Sequence, residues 1–212
     1  MRQILCEPID NYLNSLLPPR EAVLRDMERY AAAHDVPIVG PACARVLFQL
    51  ARAIRAQRVF ELGSAIGYST LWLARAVGPR GRVFYTDSDP ENLRCAQSYL
   101  RRAGVLSRVK LLCGDALEAL ASTAGSFDLI FNDIHKTQYP TALRAAAPRL
   151  RRGGLLITDN VLWYGRVAGT AEPGDAETAS IQKFNRQLFR SKDFFTVITP
   201  LRDGLAVSLK VQ

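Results

Sequence analysis

Acidic residues stand at the ends of five short apolar stretches of the sequence. The stretches are "RVFELG", "RVFYTD", "VKLLCGD", "FDLIFND" and "GLLITDN", and their acids are Glu61, Asp87, Asp115, Asp133 and Asp159. Because ligands of open α/β sheets bind at the carboxyl ends of parallel strands, we expect the five carboxylates to rim one crevice. Capping of the helix that follows is the alternative for each acid, and for Asp115, before "ALEALA", both interpretations stay open.

The turn after the first stretch, "ELGSAIGYST", indicates the kind of ligand. Gly63 and Gly67 let the backbone approach a ligand and let the strand pack closely on the next helix. Their spacing is not GxGxxG, so a nicotinamide or flavin dinucleotide is disfavoured. Glu61, beside the turn, suits a positively charged ligand, and Asp87 is placed to accept hydrogen bonds from both hydroxyls of a ribose. A ribosyl ligand with a cationic centre and no phosphates describes S-adenosylmethionine.

The elements that position these residues follow from the alternation of strand-like stretches with helical segments. We predict an α/β fold: a doubly wound, mostly parallel, seven-stranded sheet with helices on both faces and a C-terminal antiparallel hairpin. The hairpin consists of "FFTVITP" and "GLAVSLK", joined through "LRDG". Asp89 is expected to cap a helix that starts at Pro90 and stops at Gly104, and a later helix is expected at 176–190.

A helical N-terminal part, residues 1–57, is expected to precede an α/β core of residues 58–212 within a single domain. Two helices are predicted within residues 8–34, with Pro19 in the first turn of the second. His34 is expected to cap a helix C-terminus, and a third helix is expected at 42–57.

Composition places the chain among globular proteins. It has 212 residues, of which 48% are hydrophobic and 23% charged, enough for one sizeable core. Neither a signal-peptide pattern nor a membrane-length apolar run is visible, so a cytoplasmic protein without membrane contact is expected. The net charge of +8 favours anionic partners, although the arginines are scattered as on a solvated surface. The cysteines have no metal-binding spacing and are predicted to be buried thiols: Cys6, Cys43, Cys95 and Cys113.

The sequence resembles the cation-dependent O-methyltransferases, class I S-adenosylmethionine-dependent enzymes that include catechol and caffeoyl-CoA O-methyltransferases and small bacterial relatives. The resemblance runs from about residue 37 to the end, through "VFELGSAIGYSTLWLA", "DSDPENL", "GDALEAL", "FDLIFNDIHKTQY", "LLITDNVLWYGRVA" and "FNRQLF" before "DGLAVSLK". It implies a Rossmann-like methyltransferase fold. It assigns the cofactor's methionine end to Glu61, Gly63, Tyr68 and Ser69, its ribose to Asp87, and its adenine to Asp115 and Ala116. Gly67 and Asp133 complete the implied cofactor pocket.

The resemblance also implies a metal site, because the family's ligands fall on Asp133, Asp159 and Asn160. Two carboxylates and one amide oxygen form an all-oxygen half-shell that suits Mg²⁺ or another divalent cation. Such a cation would act as Lewis acid and template for an acceptor with two neighbouring oxygens. An Asx turn at "DN" is the alternative for that dipeptide alone.

Lys136 occupies the family's position for the general base, in the pattern D-x-x-K-x-x-Y that starts at Asp133. A nearby cation would favour its neutral amine, whereas a solvated lysine at a helix start is the alternative. Asp133 and Lys136 are thus the predicted catalytic residues. His135 is expected at the rim, without a catalytic role.

Residues 161–177 are glycine-rich and aperiodic, which is typical of a mobile flap over an acceptor site. Within them, Trp163 either stacks on an aromatic acceptor or packs against the sheet edge. Arg166 either contacts an anionic substrate group or is solvated. Relatives commonly carry a Gly-Gln pair near the mouth of the site, where this chain has Ala44 and Arg45, and this departure leaves the acceptor open.

Three functions remain as hypotheses. The first is metal-dependent methyl transfer to a hydroxyl of a small catechol-like aromatic molecule. The second is the same chemistry on a hydroxylated uridine of transfer RNA, which the basic charge favours. The third, a non-catalytic cofactor-binding protein, is disfavoured because the implied ligands and lysine are all present. A homodimer is expected, since relatives are often dimers.

Overall fold

Seven strands form one sheet in the computed structural model, which describes residue 4 and residues 7–212. They are β1 (Arg58–Leu62), β2 (Arg82–Asp87), β3 (Val109–Cys113), β4 (Phe127–Asn132), β5 (Leu150–Thr158), β6 (Phe194–Thr199) and β7 (Leu205–Lys210). Their order across the sheet is β3-β2-β1-β4-β5-β7-β6. The first five strands pair in parallel, and β7 lies antiparallel to both β5 and β6. The predicted sheet and its C-terminal hairpin are confirmed.

Helices cover both faces of this sheet. The helices of the described residues are α1 (Glu7–Ser15), α2 (Ala22–Ala33), α3 (Gly40–Ala53), α4 (Tyr68–Val77), α5 (Pro90–Arg102), α6 (Ala116–Ser122), α7 (Tyr139–Ala146) and α8 (Ala176–Arg190). All of them except α1 bury residues in the core. Successive strand residues point to opposite faces. Val59 and Leu129 therefore belong to the core under α2–α5, whereas Phe60 and Ile130 belong to the core under α6–α8. No helix in the described part of the chain is long and apolar enough to cross a membrane.

Local sequence signals set most helix ends as predicted. The side chain of Asp89 accepts a hydrogen bond from the backbone N–H of Glu91 at the start of α5, and Gly104 adopts a φ of 69° just past its end. His34 follows α2, where its Nδ1 lies 2.9 Å from the carbonyl oxygen of Tyr30 and its ring stacks on that tyrosine. The predicted α8 is confirmed at 176–190.

Two N-terminal predictions were wrong in detail. Pro19 does not lie in the first turn of α2, because Glu21, with extended backbone, takes the N-cap position. Helix α3 ends at Ala53 and not at residue 57. It ends there because Arg55 adopts a left-handed φ of 54° while the N–H of Ala56 returns to the carbonyl oxygen of Ala51.

The cysteine prediction holds for Cys43, which is buried; Cys95 is half-buried and Cys113 is exposed. Cys113 ends β3, an edge strand, so one side of this strand has no neighbouring strand to cover it. Cys6 lies outside the described residues.

Candidate active site

A cavity of about 480 Å³ opens at the carboxyl ends of the central strands. A recess of about 260 Å³ adjoins it and shares Gly63, Asp87 and Asp133 with it. The strand order reverses between β1 and β4, because β2 and β3 lie on one side of β1 while β4 and β5 lie on the other. The cavity therefore lies where open α/β sheets bind their ligands.

The five strand-end acids do not reach this space equally. Asp87, Asp115 and Asp133 line the cavity or the recess. Glu61 and Asp159 are fully buried, and each is surrounded by residues that do line the space. Three of the five predicted carboxylates thus contact the cavity or the recess, and the other two lie buried behind the lining residues.

The turn from β1 to α4 requires glycine at two positions for different reasons. Gly63 has a φ of 78°, and a Cβ on it would lie 2.8 Å from the carbonyl oxygen of Asp133. Gly67 has a φ of 82°, and its Cβ would lie 3.0 Å from that of Ala96 in α5. Gly63 lines the cavity, whereas Gly67 does not. Gly67 therefore packs against α5, and its predicted contact with the cofactor stays a prediction.

Glu61 is a buried carboxyl group behind the start of α4. The hydroxyl of Thr70 donates a hydrogen bond to its Oε2, while its Oε1 has no partner with hydrogen-bond geometry among the described residues. Burial raises the pKa of Glu61 to about 7, against the opposing effect of the Ser69, Thr70 and Ser64 hydroxyls. Ser69 lines the cavity in front of it. A positive charge on this side of the cavity would therefore stabilise the ionised form of Glu61.

Tyr68 and Asp87 have fixed orientations at the same end of the cavity. The hydroxyl of Tyr68 donates a hydrogen bond of 2.7 Å to Oε1 of Glu28 in α2. Oδ2 of Asp87 accepts a hydrogen bond of 2.8 Å from the backbone N–H of Ala65, and its Oδ1 accepts one of 3.1 Å from Asn92. Oδ1 also accepts one of 2.9 Å from the backbone N–H of Asp89, so Oδ2 is the oxygen of Asp87 with capacity to accept a further hydrogen bond.

Asp115 caps the start of α6, which was the alternative interpretation of this residue. Its Oδ1 accepts hydrogen bonds from the backbone N–H groups of Leu117 and Glu118, at 2.8 and 2.9 Å. Asp115 and Ala116 also line the recess. The cap fixes the carboxylate and leaves Oδ2 available to a ligand, so the two interpretations are compatible.

Lys136 is not a solvated surface lysine. Its side chain is 12% exposed, and its Nζ donates a hydrogen bond of 2.8 Å to Oδ1 of Asp133. The ammonium group lies 5.2 Å from the ring centre of Tyr139 and 5.8 Å from that of Trp163. His135 lies at the rim, exposed, with Nε2 3.4 Å from Glu177.

Asp159 and Asn160 follow β5 directly. Oδ1 of Asp159 accepts a hydrogen bond of 2.9 Å from the backbone N–H of Asn160, as in the local turn considered from the sequence. Its Oδ2 is buried and has no hydrogen-bond partner within the described residues. Burial raises the pKa of Asp159 to about 7, the charge on Asp133 adds to this effect, and Arg202 opposes it.

The donor atoms at this place fit a hard divalent cation. The described residues contain no metal-binding group of three or more His, Cys, Asp or Glu side chains, but the set here is two carboxylates and one amide. Nδ2 of Asn160 donates a hydrogen bond of 3.3 Å to Asp203, so the amide oxygen remains free. Oδ2 of Asp159 accepts no hydrogen bond from the described residues, and a turn at "DN" does not supply one. The guanidinium of Arg202 at 3.7 Å offsets its charge without occupying it, so this oxygen can still bind a cation.

Part of the cavity lining is apolar and aromatic, and it is called the acceptor wall. It includes Trp163 and Tyr164 together with Pro37, Ile38 and Val39. Trp163 also packs on the core under α6–α8, and its stacking on an acceptor stays a prediction. Part of the predicted aperiodic flap is ordered as 3₁₀ turns at Trp163–Ala168, and α8 already begins at Ala176.

Comparisons with known proteins agree with this geometry. The family model described as O-methyltransferase matches residues 19–211. The chain belongs to the O-methyltransferase family. It is similar to catechol O-methyltransferase of Mycobacterium tuberculosis (strain ATCC 25618 / H37Rv), with 35% identity over 174 residues that are 81% of this chain and 79% of the relative. The family resemblance and the enzyme class, an O-methyltransferase, are confirmed.

Solved structures of O-methyltransferases have the same fold. TomG of Streptomyces achromogenes, involved in tomaymycin synthesis and solved in complex with SAM, superposes with a TM-score of 0.86 at 29% identity, covering 97% of this chain and 96% of that chain. The O-methyltransferase from Bacillus cereus, solved in complex with SAH, gives a TM-score of 0.85 at 27% identity, covering 96% and 97%. The Rossmann-like methyltransferase fold is confirmed.

Arg166 is half exposed in this O-methyltransferase, as in the solvated alternative considered for it. Its Nη2 donates a hydrogen bond of 2.5 Å to Oδ2 of Asp175, and it does not line the cavity. Asp175 caps α8, so the pair fixes the end of the loop and not an acceptor. Ala44 is buried and Arg45 is exposed, and neither lines the cavity either.

Sequence reasoning missed two residues of the site, Arg202 and Asp203. Arg202 lines the cavity with Nη1 3.7 Å from Oδ2 of Asp159. Asp203 is buried and accepts hydrogen bonds from Asn160 and from the backbone N–H of Tyr164. Both belong to "LRDG", which carries a clear turn signal, and that signal gave no reason to assign these side chains to the site.

Proposed function

We propose that the protein is an S-adenosylmethionine- and divalent-cation-dependent O-methyltransferase that methylates one hydroxyl of a small catechol-like aromatic acceptor. The observation that carries the proposal is Oδ2 of Asp159, a buried carboxylate oxygen without a hydrogen bond beside Asp133 and Asn160. The relative named catechol O-methyltransferase and the two neighbours solved with SAM and SAH support the acceptor class and the cofactor.

The cofactor would extend from the recess to the middle of the cavity. Asp115 and Ala116 would contact its adenine, and Asp87 would accept hydrogen bonds from the ribose hydroxyls. The methionine end would lie against Gly63, Tyr68 and Ser69, with the carboxyl group of Glu61 behind them as the counter-charge. Asp133, the third carboxylate that lines the recess, is assigned to the cation.

Asp133, Asp159 and Asn160 would hold the cation on the other side of the methyl group. When bound, the cation would lower the pKa of a coordinated acceptor hydroxyl, and S-adenosylmethionine would supply the methyl group.

Lys136 and Trp163 would act on the acceptor itself. In its neutral amine form, which a bound cation would favour, Nζ of Lys136 would take the hydroxyl proton, and the face of Trp163 would position the aromatic ring. The acceptor oxygen would then bond to the methyl carbon as the sulfur–carbon bond breaks. Pro37, Ile38 and Val39 would exclude water from the reacting atoms.

A methyl-transfer assay tests this proposal. Transfer of labelled methyl to a panel of catechols is measured with Mg²⁺ and with EDTA, for the wild type, Lys136→Met and the control Lys192→Met, which changes an exposed lysine. We expect labelling that EDTA abolishes and a loss of about 10²–10⁴-fold in kcat for Lys136→Met, because a positioned base contributes by about this factor. The affinity for S-adenosylhomocysteine, measured by calorimetry, should stay unchanged. Labelling that survives EDTA would contradict the cation assignment.

The transfer RNA acceptor remains an untested prediction, as do the homodimer and the cytoplasmic location. A basic groove with Arg58, Arg82 and Lys110 reaches Asp115, but it shares no lining residue with the wall around Trp163. No feature of the acceptor wall therefore favours RNA over a small molecule. Total small RNA in the same assay, at low and high salt, measures this alternative directly.

A further inference from the structure

We propose that Arg202 weakens divalent-cation binding at Asp133, Asp159 and Asn160, because it places a fixed positive charge beside the ligand oxygen of Asp159. The inference rests on the cation site of the proposed function. It concerns a residue of the β6–β7 turn that has no part in the methyl transfer described above.

The distance carries the argument. Nη1 of Arg202 lies 3.7 Å from Oδ2 of Asp159, close enough for an ion pair and too far for a hydrogen bond. Oδ2 therefore stays open to a metal ion while it lies in the field of the guanidinium. The side chain of Asp159 is only 1% exposed, whereas that of Arg202 is 47% exposed, so water screens the interaction from the guanidinium side and reduces it without abolishing it. An arginine side chain keeps its charge, and a cation on Oδ2 experiences repulsion at every working pH.

The backbone directs Arg202 to this place at an energetic cost. Its φ of 54° is left-handed, a conformation that non-glycine residues rarely adopt. The turn is closed by a hydrogen bond of 2.9 Å from the N–H of Gly204 to the carbonyl oxygen of Leu201. The next residue, Asp203, is anchored to Asn160 and Tyr164. A strained residue held by its neighbours and aimed at a functional site indicates a role for its side chain.

Other charges near Asp159 do not duplicate this role. Lys136 is paired with Oδ1 of Asp133 through a hydrogen bond, so its charge is balanced by that carboxylate. Arg202 donates no hydrogen bond to Asp159, so a cation on Oδ2 replaces none of its hydrogen bonds, and the guanidinium and the cation repel each other. The site therefore binds its cation only at a higher free cation concentration than the same ligands would need without Arg202.

Direct Mn²⁺ binding to the full chain tests the inference without any turnover. Free Mn²⁺ is followed by electron paramagnetic resonance during titration of the wild type, Arg202→Gln, Arg202→Gly and Arg202→Lys. Arg55→Gln is the matched control, because Arg55 has the same φ of 54° on an exposed site at the other end of β1. We expect at least about tenfold tighter binding for both uncharged variants at position 202, and unchanged binding for Arg202→Lys and Arg55→Gln.

Equal Mn²⁺ affinity of the wild type and Arg202→Gln would overturn the inference while leaving the cation site intact. The inference would also be overturned if Arg202→Lys tightened Mn²⁺ binding as strongly as Arg202→Gln, since lysine keeps the charge. Tightening by Arg202→Gly alone would assign the effect to relief of backbone strain and would refute the electrostatic role. If Asp159→Asn binds Mn²⁺ as the wild type does, the proposed cation site itself fails, and this inference with it.

Discussion

The replacement of Glu61 by glutamine should remove a pH-dependent loss of stability. Burial raises the pKa of Glu61 from its ordinary 4.5 to about 7. Between these two values the folded protein keeps the proton, whereas the unfolded chain has released it. The stability that this group contributes is therefore complete below pH 4.5, declines as the pH rises to 7, and stays constant above that.

The size of the effect follows from the two pKa values. At about 1.4 kcal/mol per pH unit, the interval corresponds to at most about 3 kcal/mol of unfolding free energy. Glutamine has no proton to lose, so Glu61→Gln lacks this decline. We expect the free energy of unfolding of the variant, relative to the wild type, to rise by up to about 3 kcal/mol between pH 4.5 and pH 7.5.

Urea unfolding followed by tryptophan fluorescence at pH 4.5, 5.5, 6.5 and 7.5 measures this difference, in roughly one-unit steps that span the interval. Glu118→Gln, at an exposed position of α6, is the control and should keep the pH profile of the wild type. Parallel profiles for the wild type and Glu61→Gln would refute the reasoning, because they would show that Glu61 titrates alike in the folded and unfolded chains.

Two further predictions concern the turns around the site. Gly63→Ala should destabilise the fold by about 1–3 kcal/mol more than Gly78→Ala, as measured by thermal unfolding. Both glycines have a positive φ, but only at Gly63 would the added Cβ lie 2.8 Å from a backbone oxygen. Similar losses for the two variants would mean that the turn shifts away from Asp133 at no cost. Asp203→Ala should cost about 1–3 kcal/mol and raise KM for the acceptor, because the buried N–H of Tyr164 loses its partner. Its affinity for S-adenosylhomocysteine should remain that of the wild type, and Asp203→Asn, which keeps an acceptor oxygen, should lose less.

Local rules were sufficient for most of the fold. The alternation of apolar runs with helical segments identified β1–β5, and single residues such as Asp89 and Gly104 marked the ends of α5. The positions of the strand-end acids also followed from local sequence, because parallel strands bring their carboxyl ends to one edge. The sequence alone did not show that Glu61 and Asp159 would be fully buried, since burial depends on the helices that pack over each strand.

The missed features depend on contacts between distant segments. Arg202 and Asp203 reach Asp159 and Asn160 because β7 pairs antiparallel with β5, which brings the β6–β7 turn to the end of β5. Gly67 has its packing role only because α5 crosses above it. These placements are set by tertiary pairing, and motifs within one segment do not encode them.

Asp203 has a consequence for any attempt to change the acceptor range. Its carboxylate holds the backbone of Tyr164 and the amide of Asn160, while its own carbonyl oxygen accepts a hydrogen bond from Leu162. If residues 160–168 alone were replaced by those of a homologue, the new loop would lack the homologue's own anchoring residues at 201–204. Residues 160–168 and 201–204 therefore form one exchangeable module, and substrate range should be redesigned by moving both together.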